Sequence, residues 1–305
     1  MSGSAPAAKR RRFLRAVILT LILLILALPT LVGAWLMMAI TLPGCGGETI
    51  PPVPFEDVSF PSAEFGKPTR AFFIPGAGME GQTAPVVIVL PTLAAGRGDR
   101  MAEALVYHER GLHVLTFESR ACVGGVPPSL GVAEAAQVGD ALAYLAGRPD
   151  VDMTRTGLHG FSAGGAAALM AAAQYPAIAA VVAQGNYAQI EPELSRSSEG
   201  MGLLKPAFEA GARLGYRLMT GRDLSSLDTL TAVTQMEPRP LLLVYGSHES
   251  ADEPQALSAA ALAAGSPVTV WIVPGAGHGD YIWQGREAYV AQVGGFMANA
   301  LGSAP

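Results

Sequence analysis

Apolar and polar positions follow two rhythms along residues 56–302. Short, nearly unbroken apolar runs stand at 85–90, 112–117, 178–183, 241–245 and 268–273, each of strand length. A strand covered on both faces needs apolar residues at consecutive positions, because successive side chains point to opposite sides. Between these runs, apolar residues recur three and four apart at 99–109, 132–146, 166–174, 254–264 and 281–301, the spacing of a helix side. Asp99 stands where an N-cap for the first of these helices is expected. Shorter extended segments are expected at 58–60 and 70–74, and residues 157–159 read as a strand leading into a sharp turn. Strands alternating with helices of this length predict an α/β fold, a mostly parallel central sheet flanked by helices. Residues 186–236 break the alternation and read as a small, mostly helical cap insertion.

The N-terminal part follows neither rhythm. Residues 16–40 are 25 consecutive positions without a charge. As a helix they span about 37 Å, against roughly 30 Å of bilayer hydrocarbon. Pro29 kinks such a helix without forbidding it, and Trp35 suits the interface at its far end. The run is too long for the apolar core of a cleaved signal peptide, which favours an uncleaved transmembrane helix. Lys9, Arg10, Arg11, Arg12 and Arg15 precede it in a basic tail, residues 1–15, whose first twelve positions are expected to lack order. That cluster orients the chain with its N-terminus in the cytoplasm and everything after the span outside a cell membrane. The alternative is a lipoprotein, because Leu42-Pro43-Gly44-Cys45 is similar to a lipid-attachment site with its acceptor at Cys45. Residues 41–55 are rich in Gly and Pro and read as a linker, with the globular domain, 56–302, beginning near Glu56.

Charge narrows the partners. The net charge is −5, and the segment before residue 48 holds five basic and no acidic side chains. The remainder therefore carries 15 basic against 25 acidic groups. A surface of that sign does not neutralise phosphates, so no nucleic-acid partner is expected. The two cysteines, Cys45 and Cys122, have no metal-binding spacing, and their pairing cannot be read from the sequence. No metal or organic cofactor is expected.

The chemistry gathers around Gly160-Phe161-Ser162-Ala163-Gly164. A serine hydroxyl becomes a nucleophile when a strained strand-to-helix turn exposes it, and that turn tolerates only small neighbours two residues to either side. Glycines at 160 and 164 meet the demand, and an alanine-rich helix follows. Ser162 then needs a base, usually an imidazole near neutral pH. His108, His113 and His159 lie within predicted helices or strands, and His248 lies in a loop after a strand. His278, in Pro274-Gly275-Ala276-Gly277-His278-Gly279-Asp280, follows the last predicted strand. In a parallel sheet the loops after the strands share one rim, so His278 is the expected base. A carboxylate must orient it. The loop after residues 241–245 offers Glu249, nearest the strand end, with Asp252 as the fallback. Backbone N–H groups of Ala163 and of Leu93 or Thr92 are the expected oxyanion donors.

With these residues in view the chain resembles the α/β-hydrolase superfamily over nearly all of 56–302. Ser162, Glu249 and His278 follow that superfamily's order of nucleophile, acid and histidine. Glu118-Ser119-Arg120 is similar to its Asp-x-Arg-Gly, and Gly246-Ser247-His248-Glu249 to its Gly-x-x-Asp. Within the superfamily, the short cap and the layout look similar to dienelactone-hydrolase-like and membrane-anchored serine hydrolases. Pro91-Thr92 stands where the family commonly has His-Gly. The resemblance implies a carboxylesterase-like serine hydrolase acting through an acyl-enzyme on a small-molecule ester. The same three residues would also serve a peptidase or an acyltransferase, and the fold also carries non-catalytic binding proteins. Separately, the apolar residues of the cap, among them Met201, Leu204, Phe208 and Met219, give the expectation of an apolar acyl group.

Overall fold

The structure, a computed structural model, describes residues 5–302. The chain forms two compact units, Pro43–Ile190 with Ser225–Pro305, and Met1–Leu42 with Glu191–Leu224. Helix α1 (Ala5–Ile40) opens the chain and belongs to the second of these.

The larger unit is an α/β-hydrolase fold built on one eight-stranded sheet. Its strands are β1 (Glu56–Pro61), β2 (Pro68–Ile74), β3 (Ala84–Val89), β4 (His113–Phe117), β5 (Val151–Phe161), β6 (Ile178–Gln184), β7 (Leu241–Gly246) and β8 (Val268–Val273). They lie side by side as β1-β2-β4-β3-β5-β6-β7-β8. β2 runs antiparallel to both of its neighbours, and every pairing from β4 to β8 is parallel. Parallel neighbours need a crossover, and helices supply it. In chain order they are α2 (Met101–His108), α3 (Arg120–Gly124), α4 (Glu134–Leu145) and α5 (Ala163–Gln174). After α6 (Ile190–Ser197) and α7 (Lys205–Thr220) come α8 (Thr229–Gln235), α9 (Asp252–Ala263), α10 (Tyr281–Gln284), α11 (Arg286–Tyr289) and α12 (Gly295–Ala300).

The strand period of two divides the core. Val86, Ile88, Leu241, Leu243 and Tyr245 pack with Ala167, Val138 and Leu257 of the helices on one side. Val87, Val89, Leu242 and Val244 pack with Met101, Tyr107 and Met297 on the other. All of these are essentially buried, which is why the strands carry apolar residues at every position. Truncating a central side chain such as Ile88 to alanine would cost about 2–5 kcal/mol.

Three expectations change. The closing helix is not continuous: it breaks at Gly285 between α10 and α11 and passes through a π turn at Val290–Gly294 before α12. Glycine is the weakest helix former after proline, and apolar periodicity does not register such a break. Asp99 does not cap α2, whose N-cap is Arg100 without a side-chain bond. The start of the Gly/Pro-rich segment is not a free spacer. Gly46 N–H donates to Ala94 O (2.6 Å) and Thr49 N–H to Arg97 O (3.1 Å), laying the segment along the loop after β3. Cys45 is joined to Cys122 of α3 in a disulfide. Its sulfur is thereby committed, and the lipoprotein alternative fails because a thioether to lipid needs that same atom.

In the smaller unit, α1 is helical from Ala5, so residues 5–12 are ordered rather than disordered; residues 1–4 of that expected tail lie outside the described residues. At 36 residues α1 is about 54 Å long. It is long and apolar enough to cross a membrane from Lys9 to Ile40, by length and composition. Pro29, Gly33 and Met37, one turn apart, are buried, and Gly33 lies against α7 together with Thr30 and Ala34. A Cβ at Gly33 would strike the Phe208 carbonyl, one at Gly211 the Thr30 carbonyl, and one at Gly215 the Ala34 carbonyl. Small residues thus let the two backbones touch, while Phe208, Ala212 and Tyr216 fill the rest of the contact side of α7.

Candidate active site

The turn from β5 into α5 places Ser162 with φ 55° and ψ −121°, in the left-handed half of backbone space that a side chain rarely enters. Such a conformation costs about 1–3 kcal/mol and persists only where its surroundings enforce it. Here Ser162 N–H donates to Gln184 O of β6 at 2.8 Å. A Cβ at Gly160 would collide with the Gly164 carbonyl, and one at Gly164 would come within 2.8 Å of the Pro91 carbonyl. The two glycines are therefore steric requirements of the turn. They also bring the loop after β3 against the N-terminus of α5, whose first residue is Ala163.

The loop after β8 carries His278 back to this turn. His278 Nε2 lies 3.1 Å from Ser162 Oγ, and Nδ1 lies 2.8 Å from Glu249 Oε1. The Phe161 ring backs the imidazole at 4.7 Å between centroids, and the Arg100 guanidinium sits 4.4 Å from the centre of that ring. Glu249 Oε2 accepts from Gly246 N–H and from Tyr281 Oη, both at 2.6 Å. Burial alone would raise the Glu249 carboxyl, but the bonds from His278, Gly246 and Tyr281 outweigh it and hold it below its ordinary value of 4.5. Burial, and after it the neighbouring Glu249 carboxylate, pushes the Tyr281 phenol upward, so it remains a neutral donor.

The structure brings Ser162, His278 and Glu249 into one hydrogen-bonded line. Glu249 rather than Asp252 is the carboxylate on His278; Asp252 is the exposed first residue of α9, and its amide bonds Ser250 Oγ. Of the two alternative amides after β3, that of Thr92 donates to Asp99 Oδ2 (3.2 Å), and Thr92 Oγ1 also bonds that oxygen (2.7 Å). Asp99 thus pins this loop, which leaves Leu93 as the candidate donor beside Ala163. Three of the four other histidines have side chains engaged elsewhere. His108 Nδ1 meets Pro75 O, His113 accepts from Gly76 N–H, and His159 Nδ1 faces Tyr107 Oη at 2.5 Å. His159 is fully buried, and burial, with Arg100 nearby, lowers it to about 3. Among the described residues one group has metal-ligand proximity, Cys45, Glu118 and Cys122, and its two sulfurs form the disulfide.

Two contributors escape sequence reading. Gly185, just past β6, has φ +54°, and a Cβ there would meet Tyr281 Oη and come within 3.1 Å of the His278 ring. Tyr281 reads as a helix start or a wall of the site, yet its hydroxyl completes the Glu249 carboxylate. Only the folded arrangement of three loops makes either role visible.

The profile of the prolyl oligopeptidase family matches residues 126–304. The chain belongs to the prolyl oligopeptidase family. Its α/β-hydrolase fold and serine hydrolase type accord with that membership. Comparison with curated proteins found no match. Among solved structures, an esterase of Pyrococcus furiosus is similar at 19% identity, with 85% of this chain and 96% of that one covered and a TM-score of 0.66. A puromycin-hydrolyzing peptidase of Mycobacterium tuberculosis is similar at 20% identity over 83% of this chain and 40% of that one, TM-score 0.63. An acylaminoacyl peptidase of Pyrococcus horikoshii is similar at 17% identity over 80% and 40%, TM-score 0.59. At these identities the likeness concerns the fold. Both peptidase chains extend well beyond the matched hydrolase part.

Proposed function

We propose that this member of the family cleaves carboxylic esters through an acyl-enzyme, with Ser162, His278 and Glu249 as its catalytic residues. The observation that carries the reading is the unbroken line from Ser162 Oγ to His278 Nε2 (3.1 Å) and from Nδ1 to Glu249 (2.8 Å). Ser162 Oγ attacks the ester carbonyl as its proton passes to His278 Nε2, and the resulting oxyanion is held by the Ala163 and Leu93 amides. Glu249 keeps the proton of the imidazole on Nδ1 and stabilises the imidazolium. Collapse breaks the bond to the alkoxy oxygen, which leaves with the proton from His278. Water, deprotonated by the same imidazole, then attacks the acyl-enzyme and releases the acid and Ser162.

Ser162→Ala is expected to abolish turnover of a p-nitrophenyl ester, by at least about 10³-fold, with circular dichroism unchanged. Retained turnover would reject the mechanism. A second reading, amide cleavage, is favoured by the peptidase family to which the chain belongs. Matched ester and aminoacyl-amide substrates separate the two, since the chemistry up to the acyl-enzyme is shared.

The same proposal places the enzyme at a membrane, anchored by residues 16–40 with the catalytic unit outside the cytoplasm. The basic cluster before α1 supports this orientation, and the Cys45–Cys122 disulfide supports an oxidising compartment. Retention of the anchor is supported by its fit to α7, because cleavage would expose Phe208, Ala212 and Tyr216. An enzyme tethered to lipid meets amphipathic esters, which is why an apolar acyl group is proposed. A flat profile across acyl chain lengths would count against that preference.

A further inference from the structure

Helix α7 packs on α1 at Thr30, Gly33 and Ala34 with one side and turns leucines outward on the other. Leu214 and Leu218, one turn apart, are 49% and 67% exposed, and Leu203, just before the helix, is 97% exposed. Ala210 continues the same exposed side. Arg213 and Arg217 border it. Arg213 pairs with Glu191 at 2.8 Å and with Glu209 at 3.6 Å, and Arg217 with Asp223 at 3.2 Å. An outward leucine stripe edged by arginines is costly in water and matches the boundary between headgroups and acyl chains, where arginine stems lie along the apolar surface and their charged ends reach out.

Depth selects the occupant. Resting on the reading of α1 as an uncleaved anchor, the roughly 20 residues after Arg15 fill the hydrocarbon and bring Trp35 to the outer interface. Pro29, Gly33 and Met37 then lie in the last third of the span and just beyond it. The backbone of α7 touches α1 at Thr30, Gly33 and Ala34. Whatever depth those residues have, α7 shares. We infer that α7 is an interfacial helix, its Leu214 and Leu218 side seated in the outer leaflet of a phospholipid bilayer. The insertion between β6 and β7 then serves as a second membrane contact.

The test uses the full chain in phosphatidylcholine vesicles. Cys45 and Cys122 are paired, so an introduced cysteine is the one free thiol among the described residues. Leu24→Cys, Leu214→Cys and Leu218→Cys are each labelled with an environment-sensitive nitrobenzoxadiazole. Hydrolysis of soluble p-nitrophenyl acetate confirms that each labelled protein is folded. Lipids brominated close to the headgroup are expected to lower emission at 214 and 218 by about half, the depth of an interfacial helix, and lipids brominated deep in the chain to quench position 24. Quenching at 24 with none at 214 and 218 would overturn the inference and leave the anchor standing. No quenching at any position would remove the anchor, and the inference with it. Crosslinking between copies through 214 or 218, without quenching there, would assign the stripe to a second chain and equally overturn it.

Discussion

Three donors converge on the Glu249 carboxylate: the His278 ring, the Gly246 amide and the Tyr281 hydroxyl. Removing the last of them by Tyr281→Phe leaves the buried ring in place and takes away one bond to a charged acceptor, about 1.5–3 kcal/mol at most. The expected outcome is a kcat lower by roughly tenfold with KM little changed, and an acid limb displaced to higher pH, because Glu249 loses a bond that favours its anion. A purely structural tyrosine would lower thermal stability without moving the pH profile. Glu249→Gln is expected to reduce kcat by several orders of magnitude and Asp252→Asn to change it little, read by the same steady-state assay. The side chains chosen from sequence order are the ones found within hydrogen-bond distance, because loop position along a parallel sheet fixes which residues share a rim. Tyr281 and Gly185 were not legible, since their roles arise from contacts between loops far apart in the chain.

At the scale of elements, apolar runs located β3, β4, β6 and β7 within a residue or two, for a physical reason: strands covered on both faces leave no polar interruption. β5 begins six residues before the expected 157–159, because residues 152–155 in its first half are mostly polar and at least partly exposed. Where covering is partial or backbone chemistry intervenes, periodicity misled, as at the Gly285 break and at the start of α2. The segment after the anchor shows the same limit. Its composition describes a spacer, yet it hydrogen-bonds along residues 94–97 and is locked by Cys45–Cys122, a pairing that depends on three-dimensional approach alone. Because the bridge closes a loop across 77 positions, reducing it is expected to cost about 2–4 kcal/mol of stability, read as a lower urea midpoint. The Leu93 loop lies under this strap, so kcat should fall as well. Full activity and an unchanged midpoint in reductant would show the strap to be dispensable.

The whole molecule carries a buried imidazole that couples stability to pH. His159 ordinarily titrates near 6.5 and is lowered to about 3 in the fold, by burial first and then by Arg100. Between those values the unfolded chain binds the proton and the folded chain does not, so stability rises with pH across this window and is lost as pH falls through it. Glu249, held below 4.5, acts in the same direction lower down: its contribution is present above 4.5 and lost as pH falls through the folded value. Chemical denaturation from pH 7 to 4 is expected to show a falling midpoint, and His159→Gln should flatten the part of that slope between about 6.5 and 4.5, whatever its absolute stability. An identical slope in the variant would contradict the assignment.

In the proposed mechanism one serine on a strained turn is made nucleophilic by one histidine from a loop on the same rim of the sheet. Treating the full-length protein with a fluorophosphonate and mapping the adduct by peptide mass spectrometry tests it most directly. A single adduct on Ser162 is expected, formed at least about a hundredfold more slowly in His278→Ala. An adduct on another residue, or labelling of Ser162 at an undiminished rate without His278, would contradict it.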